Sequence, residues 1–143
     1  MIVLGIDPGT ASTGWGVIEQ DGNRLRSLGH GCIVTSAKTE TPLRLRQIHD
    51  EILSLIGRFH PAVVALEELF VNVNVKTALA VGQARGAIIL AAGERDLVTA
   101  DVPISHGRWK DPRIQNQHVN AQPFEDAFQE ERLWTFSVEG DHQ

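Results

Sequence analysis

The chain has a single cysteine among its 143 residues, Cys32, so it contains no internal disulfide bond. Such sparing use of cysteine suits a reducing cytoplasm, and a lone thiol in an apolar strand is typical of a small core residue. Long apolar runs are also lacking, since no stretch approaches the roughly 18 residues of a membrane helix. No basic leader precedes the apolar start. These absences predict a cytoplasmic protein with no membrane partner.

An excess of basic residues is absent too. The 18 acidic side chains outnumber the 13 basic ones, and the formal net charge is −5. An acidic total argues against a polyanionic partner. However, residues 101–143 hold eight of the acids and only four of the bases, so residues 1–100 are close to neutral. Charge alone therefore gives only weak evidence for or against nucleic-acid binding.

The amino-terminal third has the pattern of three consecutive strands. An apolar run over residues 2–7 ends at a Pro-Gly turn, and residues 14–20 and 24–35 follow as further strands. The Asp21-Gly22-Asn23 sequence between the last two is a strong hairpin signal. We therefore predict an antiparallel meander at the start of the chain.

A helix is predicted next, beginning near Pro42 with Thr39 or Thr41 as its cap. Its apolar side chains recur at helical spacing and form one stripe. The stripe consists of Leu45, Ile48, Ile52, Leu55 and Ile56. After it, residues 62–66 form a short, continuous apolar run, which is typical of a strand buried on both faces.

A second helix is predicted over residues 75–92, and a last strand over residues 98–104. The helix is apolar nearly all round, with Ala78, Gly82 and Gly86 at four-residue spacing on one face. Burial in the core and contact with a partner subunit are equally consistent with that face. Residues 1–104 therefore form one α/β domain with a mixed sheet, while residues 105–143 lack periodicity and are predicted to be irregular.

Two acidic residues end predicted strands, Asp7 the first and Glu67 the fourth. If those strands are neighbours, the carboxylates meet and repel each other unless a cation lies between them. Such a pair is what a Mg²⁺ site for phosphodiester hydrolysis needs. Spacing alone leaves a simpler alternative open, in which Asp7 caps the turn and Glu67 is solvated.

Three blocks of sequence resemble the RuvC-type Holliday-junction resolvases. They lie in the right order and spacing over residues 1 to about 95, and the combination is highly specific. The first is Met1-Ile2-Val3-Leu4-Gly5-Ile6-Asp7-Pro8-Gly9 with Thr13-Gly14-Trp15-Gly16. The second is Ala65-Leu66-Glu67-Glu68-Leu69-Phe70. The third is Asn74-Val75-Lys76-Thr77-Ala78-Leu79 with Gly82-Gln83-Ala84-Arg85-Gly86.

The resemblance implies an RNase H-like fold and paired nicking of four-way DNA junctions in recombination and repair. It implies two Mg²⁺ ions per active site, with Mn²⁺ as a substitute, and a homodimer that works with the branch-migration proteins RuvA and RuvB. Asp7 and Glu67 match the family's first two metal-binding catalytic carboxylates, and Glu68 is a neighbour of the aligned acid.

Further roles follow from the same resemblance. Phe70 matches an aromatic residue that disrupts base pairs near the exchange point, although a Phe beyond a strand end is also commonly a core residue. Lys76 and Arg85 are candidates for phosphate contacts, with solvation or pairing with an acid as the alternatives. The family dimerises through the central helix, which favours the subunit contact for Ala78, Gly82 and Gly86.

The carboxyl-terminal third departs from the family pattern. A resolvase completes its site with a further acidic pair, or His plus Asp, three residues apart on a late helix. Asp126, Glu130 and Asp141 are weak candidates, because none has the expected spacing within a helical pattern. The departure predicts a foreign, out-of-frame or divergent end, and a chain that binds metal poorly and cuts weakly or not at all.

Three other functions compete. A dimeric junction-binding module that has lost catalysis is the most serious. An RNase H-like nuclease acting on RNA shares the first block but not the features around Phe70 and the Gly82–Gly86 helix. The stretch from Gly5 to Thr10 also resembles the phosphate loop of sugar kinases and actin-like ATPases, but those proteins need a second similar half, for which this chain is too short.

Overall fold

The computed structural model describes residues 1–68 and 74–102. Over these ranges the chain forms five strands and two helices, which correspond one to one with the predicted elements. They are β1 (Ile2–Asp7), β2 (Ser12–Asp21), β3 (Arg24–Val34), α1 (Thr41–Phe59), β4 (Val63–Glu67), α2 (Val75–Gly93) and β5 (Val98–Val102). The predicted irregular segment 105–143 lies outside the described residues.

The strands form one mixed sheet in the order β3-β2-β1-β4-β5. The pairs β1–β2 and β2–β3 are antiparallel, which confirms the predicted meander, whereas β4 is parallel to both β1 and β5. Gly22 at the hairpin has a φ of 58°, a left-handed conformation that glycine adopts without steric cost. Because β1 and β4 are parallel neighbours, their carboxyl ends lie side by side.

The two faces of the sheet are buried to different extents. Alternate residues of β1 and β4 pack with α1 and α2 in the main core, among them Leu4 and Leu66, both fully buried. The opposite face holds a smaller cluster that includes Val3 and Ala65. Burial on both faces is what the continuous apolar run of β4 predicted.

Helix α1 places the predicted stripe in the main core, where Leu45 is partly buried and the other four residues are buried. The predicted cap was wrong. Neither Thr39 nor Thr41 caps the helix, because Glu40 occupies the N-cap with an extended backbone and makes no side-chain cap hydrogen bond. The helix ends where His60 turns left-handed, with a φ of 48°, and its amide donates to the carbonyl of Ile56.

Helix α2 begins at an N-cap that the sequence analysis did not identify. The Asn74 side chain accepts a hydrogen bond from the Thr77 amide at 2.9 Å. Only one face of α2 lies in the core, through Ala84, Ile88, Ala91 and Ala92. The sequence left burial in the core and contact with a partner subunit as alternatives for the face of Ala78, Gly82 and Gly86, and none of these three is among the buried residues of α2.

The apolar character of α2 bears on the expectation that no stretch of the chain approaches the length of a membrane helix. By length and composition the helix is able to cross a membrane, with a mean hydropathy of 1.2. The expectation that no stretch approaches this length was therefore wrong. Since one face of α2 packs on the core of a mixed sheet, we interpret it as a helix of the domain with an unusually apolar outer face.

Cys32 also lies elsewhere than predicted. It is exposed on β3, not in the core, and its Sγ lies 2.7 Å from the Ser12 hydroxyl on β2. Side chains alternate between the two faces of a strand, and the neighbouring Ile33 takes the buried position at 1% exposure.

Candidate active site

Asp7 and Glu67 end adjacent strands at the same edge of the sheet. The register of the parallel pair β1–β4 runs from Val3 opposite Val63 to Ile6 opposite Leu66. The next residue on each strand is therefore one of the two acids. The condition set by the sequence, that these two strands be neighbours, is met.

The Glu67 carboxyl is partly buried and lies within hydrogen-bonding reach of the Asp7 carboxyl. Burial raises the pKa of Glu67 to about 8, and the hydrogen bond and the negative charge of Asp7 act in the same direction. Asp7 itself is exposed to solvent. A proton or a cation between the two groups removes their repulsion, so the pair is suited chemically to a hard divalent metal ion.

The turn after Asp7 is built tightly. Thr13 is fully buried, and its hydroxyl donates to the Gly9 carbonyl at 2.6 Å. A Cβ added at Gly9 would clash with the Ser12 carbonyl oxygen, at a separation that no side chain tolerates. The Pro-Gly turn therefore has a structural reason for its glycine, separate from any phosphate-binding role.

The other side of the site is held by two residues on α2 and β5. The Arg85 guanidinium donates to the Glu67 backbone carbonyl at 2.9 Å and pairs with the Asp101 carboxylate. Sequence reasoning missed Asp101 entirely, because it lies in a short strand with no motif around it. It offered Arg85 as a DNA contact, with pairing to an acid as the alternative, and in the structure Arg85 is paired.

The remaining predicted site residues that the structure describes all lie on α2. Lys76 is exposed in the first turn of α2, Ala78 and Gly82 are partly buried, and Gly86 is exposed. Phe70, Asp126, Glu130 and Asp141 lie outside the described residues. Within residues 1–68 and 74–102, no group of three or more metal-ligating side chains occurs, so the described part of the site is the Asp7–Glu67 pair.

The raised pKa of Glu67 predicts how stability depends on pH without metal. Between pH 4.5 and about 8 the folded chain keeps a proton that unfolded Glu67 has lost, so the free energy of unfolding falls as pH rises. We expect a loss on the order of 1 kcal/mol, since the pair is partly open to solvent. Urea denaturation with a chelator, at pH values from 5 to 9, measures it.

Glu67→Gln should flatten this pH dependence, and Glu68→Gln is the matched control, because Glu68 is adjacent and exposed. Equal pH slopes for the wild type and Glu67→Gln would show that the pair is not coupled.

Comparison with known proteins gives a consistent family assignment. The family model for crossover junction endodeoxyribonuclease RuvC matches residues 3–104. Proteins of that name from Rubrobacter xylanophilus and Heliobacterium modesticaldum are each 52% identical to this chain, over 91 and 97 residues. The aligned parts make up 64% and 68% of this chain but 51% and 60% of those relatives. The chain thus spans about half or slightly more of the relatives that it matches.

Solved structures agree with this fold. The Thermus thermophilus RuvC bound to a Holliday junction substrate superposes with a TM-score of 0.69 at 34% identity, covering 72% of this chain and 66% of that one. The fowlpox virus Holliday junction resolvase, at 14% identity and a TM-score of 0.53, shares the fold alone and covers 88% of this chain and 77% of that one. The RNase H-like class expected from the sequence is confirmed.

Proposed function

This chain belongs to the RuvC family of crossover junction endodeoxyribonucleases, and from that premise we propose that it cuts four-way DNA junctions by metal-dependent hydrolysis. One observation carries the proposal. Asp7 and Glu67, the two residues that match the family's carboxylates, end adjacent parallel strands and contact each other. The alternatives considered from the sequence, an ATP-binding domain and an RNA-directed nuclease, have no comparable support.

In this proposal Asp7 and Glu67 are the protein's ligands for Mg²⁺ or Mn²⁺, with two ions per site as in the family. A divalent ion supplies the activation of the attacking water and charge stabilisation of the leaving oxygen. The protein positions the two carboxylates at a sheet edge where Asp7 is open to solvent. Two carboxylates leave coordination positions for water, DNA phosphate and side chains outside the described ranges, Asp126, Glu130 and Asp141 among the candidates.

DNA contacts are proposed at two residues that follow Glu67 along the chain. Lys76 is exposed at the start of α2, in the segment that follows Glu67 along the chain, and Phe70 lies in the segment between them. A phosphate contact from Arg85 would require its guanidinium to leave Asp101. We therefore propose Lys76 and Phe70 as the DNA contacts and assign Arg85 a different role below.

Replacing Lys76 with alanine is expected to weaken junction binding several-fold without changing sequence preference. A lysine that neutralises one phosphate releases about one counterion, so the slope of log affinity against log salt should decrease in magnitude by about 1. Fluorescence anisotropy with a labelled junction over a range of salt concentrations measures both quantities. Lys38→Ala, at an exposed lysine in the β3–α1 loop, is the control, and equal slopes for the two variants would exclude a phosphate contact at Lys76.

A homodimer through α2 is part of the proposal. Large apolar side chains on the outer face of the helix are exposed to solvent: Val75 is 76% exposed, Leu79 64% and Leu90 58%. A Cβ added at Gly82 or Gly86 would have nothing within 4 Å, so these glycines are not required for packing inside the chain. Exposed apolar surface of this kind favours contact with a second subunit. Cooperation with RuvA and RuvB follows from family membership alone.

The test of the function is cleavage of a synthetic four-way junction beside a linear duplex of the same sequence, with Mg²⁺ or Mn²⁺. Paired nicks in opposing strands of the junction, with the duplex intact, are the expected result, and the departure of residues 105–143 from the family pattern predicts that these nicks form slowly. Junction binding without nicks would instead favour the second candidate, a binding module without catalysis. The binding-module candidate is favoured by the small number of metal ligands, since within residues 1–68 and 74–102 no group of three or more metal-ligating side chains occurs. Absence of both binding and cutting would refute both.

A further inference from the structure

Arg85 connects α2 to the ends of two strands. The Arg85 side chain is only 15% exposed, although it carries a charge. The preceding residue of α2, Ala84, is fully buried. One guanidinium nitrogen donates to the Glu67 carbonyl, and another pairs with Asp101 on β5. A single side chain therefore contacts the backbone of a proposed metal ligand and the adjacent strand.

The backbone of Glu67 is paired with a neighbouring strand on one side only. The register of β4 with β1 ends at Leu66, one residue earlier, so on that side the sheet does not hold Glu67. On the other side Glu67 pairs with Val102, and the Glu68 amide donates to the Val102 carbonyl at 2.9 Å. The guanidinium of Arg85 completes the restraint by satisfying the Glu67 carbonyl.

The chemistry of arginine suits this arrangement. Its planar guanidinium presents several N–H donors at fixed angles, so one group serves the carbonyl while another serves the Asp101 carboxylate. A lysine ammonium keeps the charge but lacks the rigid fork. The contact is thus specific to arginine by geometry as well as by charge.

The strand end that bears Asp7 is tied to the same helix. The Thr10 hydroxyl, in the turn after β1, donates to the Ala80 carbonyl of α2 at 2.7 Å. Helix α2 therefore contacts the Thr10 side chain, three residues after Asp7, and through Arg85 it contacts the Glu67 carbonyl. The relative position of the two carboxylates depends on α2 as well as on the sheet.

We propose that Arg85 is a positioning residue, which holds the Glu67 backbone so that its carboxylate meets Asp7 in the geometry that binds metal. This role rests on the proposed function. It goes beyond that function by assigning the guanidinium to the assembly of the site and not to the DNA.

The experiment compares Arg85→Lys with Arg95→Gln, at an exposed arginine beyond α2. Three quantities are measured: amide hydrogen exchange at Glu68, the Mn²⁺ affinity from the metal-induced shift in melting temperature, and junction affinity in Ca²⁺. Arg85→Lys should speed amide exchange at Glu68 about tenfold. It should also weaken Mn²⁺ binding about tenfold, because loss of a residue that orients a metal ligand typically costs at least that much affinity. Junction affinity should stay unchanged.

Asp101→Asn is the second variant, since it leaves Arg85 in place and alters an exposed side chain, and it should shift the same two quantities less. Unchanged Glu68 exchange in folded Arg85→Lys would overturn the positioning role. So would weaker junction binding with normal Mn²⁺ affinity, which would make Arg85 a phosphate contact. A wild-type chain that binds neither metal nor junction would refute the proposed function instead, while the exchange measurement still decides the role of Arg85.

Discussion

Asp7→Asn is expected to reduce metal-dependent nicking of a four-way junction by at least about a hundredfold, while junction affinity stays the same. Asparagine keeps the size of the side chain but loses the negative charge that a hard divalent ion requires. Metal ions contribute several kcal/mol of transition-state stabilisation, and each 1.4 kcal/mol corresponds to about a factor of ten in rate. Single-turnover cleavage with excess protein, followed on a denaturing gel, measures the loss even if the wild type cuts slowly.

Asp21→Asn is the matched control, because Asp21 is exposed at the β2–β3 hairpin. It should nick the junction at the wild-type rate. The melting temperature of metal-free Asp7→Asn at pH 8 should equal or exceed that of the wild type, because the substitution removes the repulsion with Glu67. Rapid nicking by Asp7→Asn would show that the site lies elsewhere in the chain.

Ile88→Ala is expected to lower the free energy of unfolding by about 2–5 kcal/mol. Ile88 is fully buried in the main core, where α2 packs on the sheet. The truncation removes buried apolar surface and leaves a cavity that the fully buried neighbours fill poorly, and the higher helix propensity of alanine offsets only a few tenths of a kcal/mol. The midpoint of urea denaturation should fall with little change in its slope.

The adjacent residue is a control of the same type. Ile89 is 40% exposed, so Ile89→Ala should cost less than about 1 kcal/mol. Melting at two protein concentrations separates this effect from any contribution of a dimer. Comparable losses at the two positions would mean that α2 is rotated relative to the sheet, or that its outer face is covered in solution.

The elements with strong local signals were predicted well from the sequence. The Asp-Gly hairpin, the apolar stripe of α1 and the apolar run of β4 each depend on interactions between near neighbours in the chain. All three occur in the structure, within one or two residues of their predicted bounds. The acids that end β1 and β4 were identified for the same reason, since each directly follows an apolar run.

Other features were not predictable, because they depend on which segments of the chain pack against each other in the folded protein. Cys32 lies on the exposed side of β3, and which side faces the core is set by the pairing with β2. The cap of α1 was assigned to a threonine, although the chain enters the helix at Glu40. An apolar helix does not reveal which of its faces the sheet covers, so only the structure shows that Leu79 and Leu90 lie on the exposed side of α2.

The order of the elements, the family and the two acids of the proposed site followed from the sequence, since these depend on local patterns and on residue identity. Tertiary structure alone decided that β4 pairs parallel to β1, which brings Asp7 beside Glu67 although the two are far apart along the chain. It also decided that Arg85 contacts the Glu67 carbonyl and Asp101. The physical reason is that carboxylate repulsion, partial burial and a guanidinium held between two strands arise only when segments distant in sequence pack together.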